Sequence, residues 1–167
     1  VTDSEHRTDD HLTGTEREQL EAFVHDGRLE MAGVLEGLSD EQARRRLVPS
    51  LTCPLAIVKH ATFVEQVWFH VSLAGRTRAE LGLPEAAEDS WVLTDDDTVA
   101  SVLAAYRTAC AEAVEIAAGC ASLDDLARHN RRGPLTLRWI YAHLVRELAR
   151  HAGHGDILRE QILAADA

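Results

Sequence analysis

Apolar residues recur at helical spacing in four long stretches of this chain, each opened by a capping signal, and strand-like alternation is nowhere sustained beyond a few residues. "TEREQL" offers Thr15 as N-cap and Glu18 three residues on, the reciprocal pairing of a capping box, ahead of Leu20, Phe23, Val24, Met31, Val34, Leu35 and Leu38. Gly37 and Ser39 end that helix, and Ser39 with Gln42 repeats the cap logic for a short turn. A second helix takes Thr52 as cap and Pro54 in its first turn, where a missing amide hydrogen costs nothing, and runs to Gly75. Thr94 and Asp97 open a third that closes on Gly119. Thr136 opens the fourth, which continues through Gly153 and Gly155. Between the second and third helices, residues 76–93 lose periodicity and read as a long crossover loop. The pattern predicts an all-α fold, a four-helix bundle in which facing side chains build any site between helices.

The 167 residues are the length of one domain, and 46% hydrophobic with 27% charged residues is ordinary globular usage. Residues 1–12 are acidic and lack apolar periodicity, so they are expected as a frayed tail ahead of a domain spanning 13–167. A formal net charge of -11 opposes docking on a phosphate backbone, and the basic clusters "QARRRLV" and "HNRRGP" are too short for a duplex footprint. No nucleic acid is expected as a partner. Absence of any apolar run near ~20 residues argues against a membrane span, and the first residues have no signal-peptide core, so a cytoplasmic location is expected. Cys53, Cys110 and Cys120 are odd in number and form no CxxC pair, which suggests reduced thiols. Cys110 and Cys120 read as core residues, and Cys53 as a minor nucleophile candidate whose thiol a helix dipole would acidify.

Chemistry concentrates in "HLVRELARHAGH", residues 143–154. At ~100° per residue, Glu147 lies near 40°, His151 near 80° and His154 near 20° from His143, so all share one face. A rise of ~1.5 Å per residue spreads them over about 16 Å, so one ion reaches only neighbours a turn apart. Glu147 and His151 are the central pair. The best donor from another helix is His60, whose neighbours Ile57, Phe63 and Val64 turn it toward the bundle interior. One histidine and one Glu/His pair would make a three-ligand metal site with an open position, the pattern of catalytic centres. A lone inward histidine also occurs as a hydrogen-bonded core residue, and charged stripes also form solvated faces; on the residues alone these readings stay open. His143 and His154 extend the stripe as groups that would orient a ligand or act as general base. His25, His70 and His129 read as surface or loop residues, and Trp68, Trp91 and Trp139 as core or pocket wall. The ExxH pairs of di-iron bundles, HEXXH, GxGxxG and the Walker loop are all missing.

"GLSDEQARRRLVPS", "LAIVKHATFVEQVWF" and "LRWIYAHLVRELARHAGHGDILRE" together resemble the DinB-like superfamily of four-helix metal-binding proteins, in its mycothiol-dependent branch, over roughly residues 13–163. The resemblance implies a divalent metal, zinc foremost and nickel second, held by His60, Glu147 and His151. Glutamate in place of the commoner first histidine of the last-helix pair is similar to the ligand set of mycothiol-dependent maleylpyruvate isomerase, although that isomerase's long C-terminal domain is missing. The implied activity is thiol S-transfer: a low-molecular-weight thiol, mycothiol or similar, would be activated as a metal-bound thiolate and attack a small electrophile, in detoxification or natural-product tailoring. His154 or His143 would move the thiol proton, and Arg159 would grip a carboxylate of the cosubstrate. A maleylpyruvate-type isomerase and a non-catalytic metal-binding bundle are the alternatives, and a homodimer fits each of them.

Overall fold

The computed structural model describes residues 7–166. Four long helices dominate: α1 (Glu16–Gly33), α3 (Pro54–Glu65), α4 (Val99–Ala118) and α5 (Leu137–Ala165), with a short α2 (Asp40–Ala43) after the first. The all-α expectation holds. The only strands among the described residues are β1 (Leu126–Ala127) and β2 (Leu135–Thr136), an antiparallel pair with Leu126 opposite Thr136 that closes the connection into α5. No helix among the described residues is long and apolar enough to cross a membrane.

The capping boxes at Thr15/Glu18 and Ser39/Gln42 form as expected, and Thr136 caps α5 by accepting from the Trp139 amide. Two starts differ. Cys53, without a side-chain cap bond, is the N-cap of α3, so Thr52 lies one residue outside and Pro54 takes the first position. α4 starts later than expected, in a capping box of Thr98 and Ser101. The Thr94–Asp97 pairing does form, with the Thr94 amide donating to Asp97 at 2.6 Å, but Asp97 is also drawn to Lys59 Nζ at 2.6 Å. It closes a turn ahead of the helix. Of the segment 1–12 expected as a tail, residues 1–6 lie outside the described residues. Thr8–His11 form a 3₁₀ turn, with the Arg7 and Thr8 amides donating to the buried Asp26 carboxylate at 2.7 and 3.0 Å.

α1 packs chiefly on α5, and α3 on α4, around Met31, Leu35, Leu55, Ile57, Leu144 and Leu148. Gly155 has a steric reason for interrupting α5: a Cβ there would collide with the Val34 side chain, so glycine lets α1 and α5 approach closely. Nothing comparable surrounds Gly153, where an added Cβ would meet no atom within 4 Å.

Beyond Glu65 the second long helix continues as a π-helical segment, Gln66–Leu73, and ends at Gly75 with φ +78°. The wider turn carries Trp68, Phe69 and His70 into the interior. His70, read from sequence as a surface residue, is buried, with Nε2 3.2 Å from Glu112 and Nδ1 3.2 Å from Arg76. His25 is half-buried, and His129 is exposed as expected. At the start of the π segment, Glu65 is fully buried (0% exposed) and bridged bidentately by Arg28, at 2.8 Å from Nε and 2.7 Å from a terminal nitrogen. Removal of either partner would strand a charge in the core.

Candidate metal centre

His60 projects from the middle of α3, and Glu147 and His151 from successive turns of α5, so the three meet where these helices face one another. A nitrogen from each histidine and a carboxylate oxygen all lie within 4.8 Å of one another. His151 Nε2 is 3.1 Å from Glu147 Oε1, and His60 Nε2 is 3.9 Å from the same oxygen. Four-residue spacing places Glu147 and His151 on one face, as expected. Hydrogen bonding to His151 first, and the nearby His60 ring second, hold the Glu147 carboxyl well below the usual carboxylate range despite partial burial. Glu147 is ionised.

The loop between α3 and α4 completes the site. Its 3₁₀ turn, Ala87–Trp91, presents Ser90 and Trp91 to His60. Ser90 Oγ lies 2.7 Å from His60 Nδ1 and 2.6 Å from the Ala87 carbonyl. The hydroxyl has one hydrogen, which goes to Ala87 O because a carbonyl can only accept. Ser90 Oγ therefore accepts from His60 Nδ1–H, which leaves the Nε2 lone pair aimed at Glu147 and His151. The Trp91 indole stacks on the His60 ring at 4.2 Å and 18°, and stands 5.3 Å from His151. His60 itself is 8% exposed.

Two imidazoles and a carboxylate suit a borderline divalent cation such as zinc or nickel. The 3.1 and 3.9 Å separations bracket the ~3.4 Å edge expected of a tetrahedral site with ~2.1 Å bonds. His60 has its outer nitrogen anchored, the usual arrangement for a ligating histidine. His151 does not: its Nδ1 is buried with no hydrogen-bond partner among the described residues, and contacts with Trp91, His60 and His154 hold the ring instead.

The remaining predicted site residues lie around this set. His154 is exposed, with its ring edge-on to His151 at 5.9 Å. His143 is one turn before Glu147, stacked on Trp139 at 5.1 Å and 9° and edge-on to Trp68 at 4.9 Å. Burial lowers its basicity. Arg159 is not brought to the cluster: eight residues past His151, about 12 Å along the helix, its Nε donates to the Glu36 carbonyl at 2.7 Å. Cys53 is buried, and burial raises its thiol pKa, so the expected dipole acidification is outweighed. Trp91 proves a site wall and Trp68 a core residue, while Trp139 is 38% exposed. Ser90 escaped notice in the sequence because its loop has no periodicity to orient a side chain. A groove of about 820 Å³ borders the site through Ser90, lined also by Lys59, Phe63, Gln66, Leu83 and Val92.

A family model described as Mycothiol-S-transferase matches residues 19–164. No curated protein matches the chain. The family match takes in all three clustered donors and the loop that braces them, and with nearly the whole bundle inside it the chain belongs to the mycothiol-S-transferase family.

Proposed function

We propose that this protein is a divalent-metal-dependent thiol S-transferase that joins a low-molecular-weight thiol of the mycothiol kind to a small electrophile. The observation that carries the reading is the convergence of His60, Glu147 and His151 on one point, three donors where a tetrahedral cation takes four ligands. The family name supports the thiol and the transfer. A bound divalent cation would supply direct charge stabilisation of the thiol's sulfur as thiolate near neutral pH.

The chain's own residues do the rest. Ser90 keeps the His60 Nε2 lone pair free, and ionised Glu147 lowers the charge of the loaded site while orienting His151. Trp91 shields the imidazoles from water on one side. His143, whose basicity burial lowers, is the acceptor for the proton that the thiol loses, and exposed His154 passes it to solvent. In the transfer, the sulfur electron pair forms the new S–C bond. A leaving group departs with the old bond's electrons, or an addition product takes up one proton.

Purified protein prepared without chelator should carry about one divalent ion per chain by elemental analysis, and His60→Ala should lose the ion yet keep its helical circular dichroism. Mass spectrometry after incubation with mycothiol and monobromobimane or 1-chloro-2,4-dinitrobenzene should show conjugate only with metal-loaded wild type. Conjugation that proceeds equally in His60→Ala would defeat the proposal.

A further inference from the structure

Arg132 sits in the loop between β1 and β2, exposed, with its guanidinium carbon 5.7 Å from the Trp68 ring centre and 5.5 Å from that of Trp139. The two indoles are 5.1 Å apart, and His143 packs on both. Trp139, His143 and Glu147 follow at four-residue intervals on α5, so this aromatic cluster continues the face that carries the donors. One to two helical turns, roughly 6–12 Å, separate it from Glu147.

In a chain of net charge -11, Arg17 pairs with Glu21, Arg28 with Glu65, Arg45 with Asp166, and Arg138 with Glu16 and Asp124. Arg132 makes no ion pair among the described residues, and its guanidinium contacts are the two rings. An indole floor leaves a guanidinium's N–H edge free, because the planar cation stacks through its face and donates in its plane. Apolar rings beneath it also reduce competing hydration, which strengthens attraction for an anion.

We infer that Arg132, seated on the Trp68–Trp139 pair, binds the carboxylate of the electrophilic substrate, whose reactive end then faces the His60–Glu147–His151 cluster. The preferred electrophile is thus a conjugated carboxylate long enough to cover one to two helical turns. This assignment rests on the transferase reading for the reaction, though not for the anion site itself.

The test pairs a neutral with an anionic probe of similar reactive centre, 1-chloro-2,4-dinitrobenzene and 4-chloro-3,5-dinitrobenzoate, with mycothiol and metal-loaded protein. Wild type should favour the benzoate, and Arg132→Gln should reduce the benzoate-to-neutral ratio of kcat/KM roughly 10- to 100-fold, mainly through KM. Arg132→Lys should recover part of the ratio, since charge returns without the planar fork. Unreactive 3,5-dinitrobenzoate should quench tryptophan fluorescence saturably in wild type and far less in Arg132→Gln. Absent turnover of either probe, combined with quenching that Arg132→Gln abolishes, sinks the transferase reading and supports the anion site. An unchanged ratio, or equal quenching in both proteins, overturns the assignment of Arg132.

Discussion

Replacing Ser90 by alanine deletes one oxygen and isolates the part it plays behind His60. In the wild type, Ser90 accepts from His60 Nδ1 at 2.7 Å while donating to Ala87 O at 2.6 Å, so its lone pair selects the tautomer with a free Nε2. Ser90→Ala leaves Nδ1 without that acceptor, and the imidazole loses both its orientation and its tautomer preference. Loss of such an outer partner typically weakens metal binding by about 10- to 100-fold, or about 1.4–2.7 kcal/mol. Stability of the metal-free fold should fall less, by about 0.5–1.5 kcal/mol for one hydrogen bond, because the Trp91 stack at 4.2 Å remains to hold the ring. The assay is competition for zinc against a chromophoric chelator, alongside urea unfolding of both proteins without metal. Unchanged zinc affinity would refute the tautomer argument. So would a loss as complete as that in His60→Ala, since Ser90 would then be a ligand.

The buried Arg28–Glu65 bridge sets a second expectation: Glu65→Ala should cost about 3–5 kcal/mol in urea unfolding, with Arg28→Met/Glu65→Leu closer to wild type, and a single-variant loss under 1 kcal/mol would contradict the buried geometry. The glycines of α5 should respond in opposite directions. Gly155→Ala drives a methyl into Val34 and should lower stability by about 1–3 kcal/mol, whereas Gly153→Ala should raise it by up to about 1 kcal/mol in thermal unfolding, from helix propensity alone. Cys53 and Cys110 should resist iodoacetamide at pH 8 in the native protein, because burial raises both thiols, Cys110 to about 12. With native pKa values above the unfolded ~8.5, these thiols contribute stability that is complete below that pH and declines as pH rises toward the native values; fast native alkylation would refute this.

The apolar period, the caps at Thr15, Ser39 and Thr136, and the four-residue spacing of Glu147 and His151 are local properties, and local sterics and hydrogen bonding express them wherever the helices end up. The fold class and two of the three donors were therefore legible directly from residue order. His60 was legible as an inward residue and a candidate third donor, but its meeting with Glu147 and His151 was decided by packing, because which helices face one another depends on the sum of side-chain contacts across the core. Cap choice failed where two signals competed: Thr94–Asp97 and Thr98–Ser101 carry similar patterns, and the first, tied also to a lysine distant in sequence, closes a turn while the second opens the helix. The π segment likewise left no mark on residue order, and so His70 was misplaced on the surface.

What residue order determined by itself is the set of helices and the stripe of ionisable side chains along the last of them, because helical geometry relates residues only a turn apart. Tertiary structure alone decided that Ser90 and Trp91, from an aperiodic loop, would fix the tautomer and wall of His60, and that Arg132 would rest on two indoles. Apart from Arg132 on Trp139, a near neighbour in sequence, these contacts join segments 30 to more than 60 positions apart, as in the Ser90–His60 bond, and only closure of the chain around its core brings them within hydrogen-bonding or stacking range.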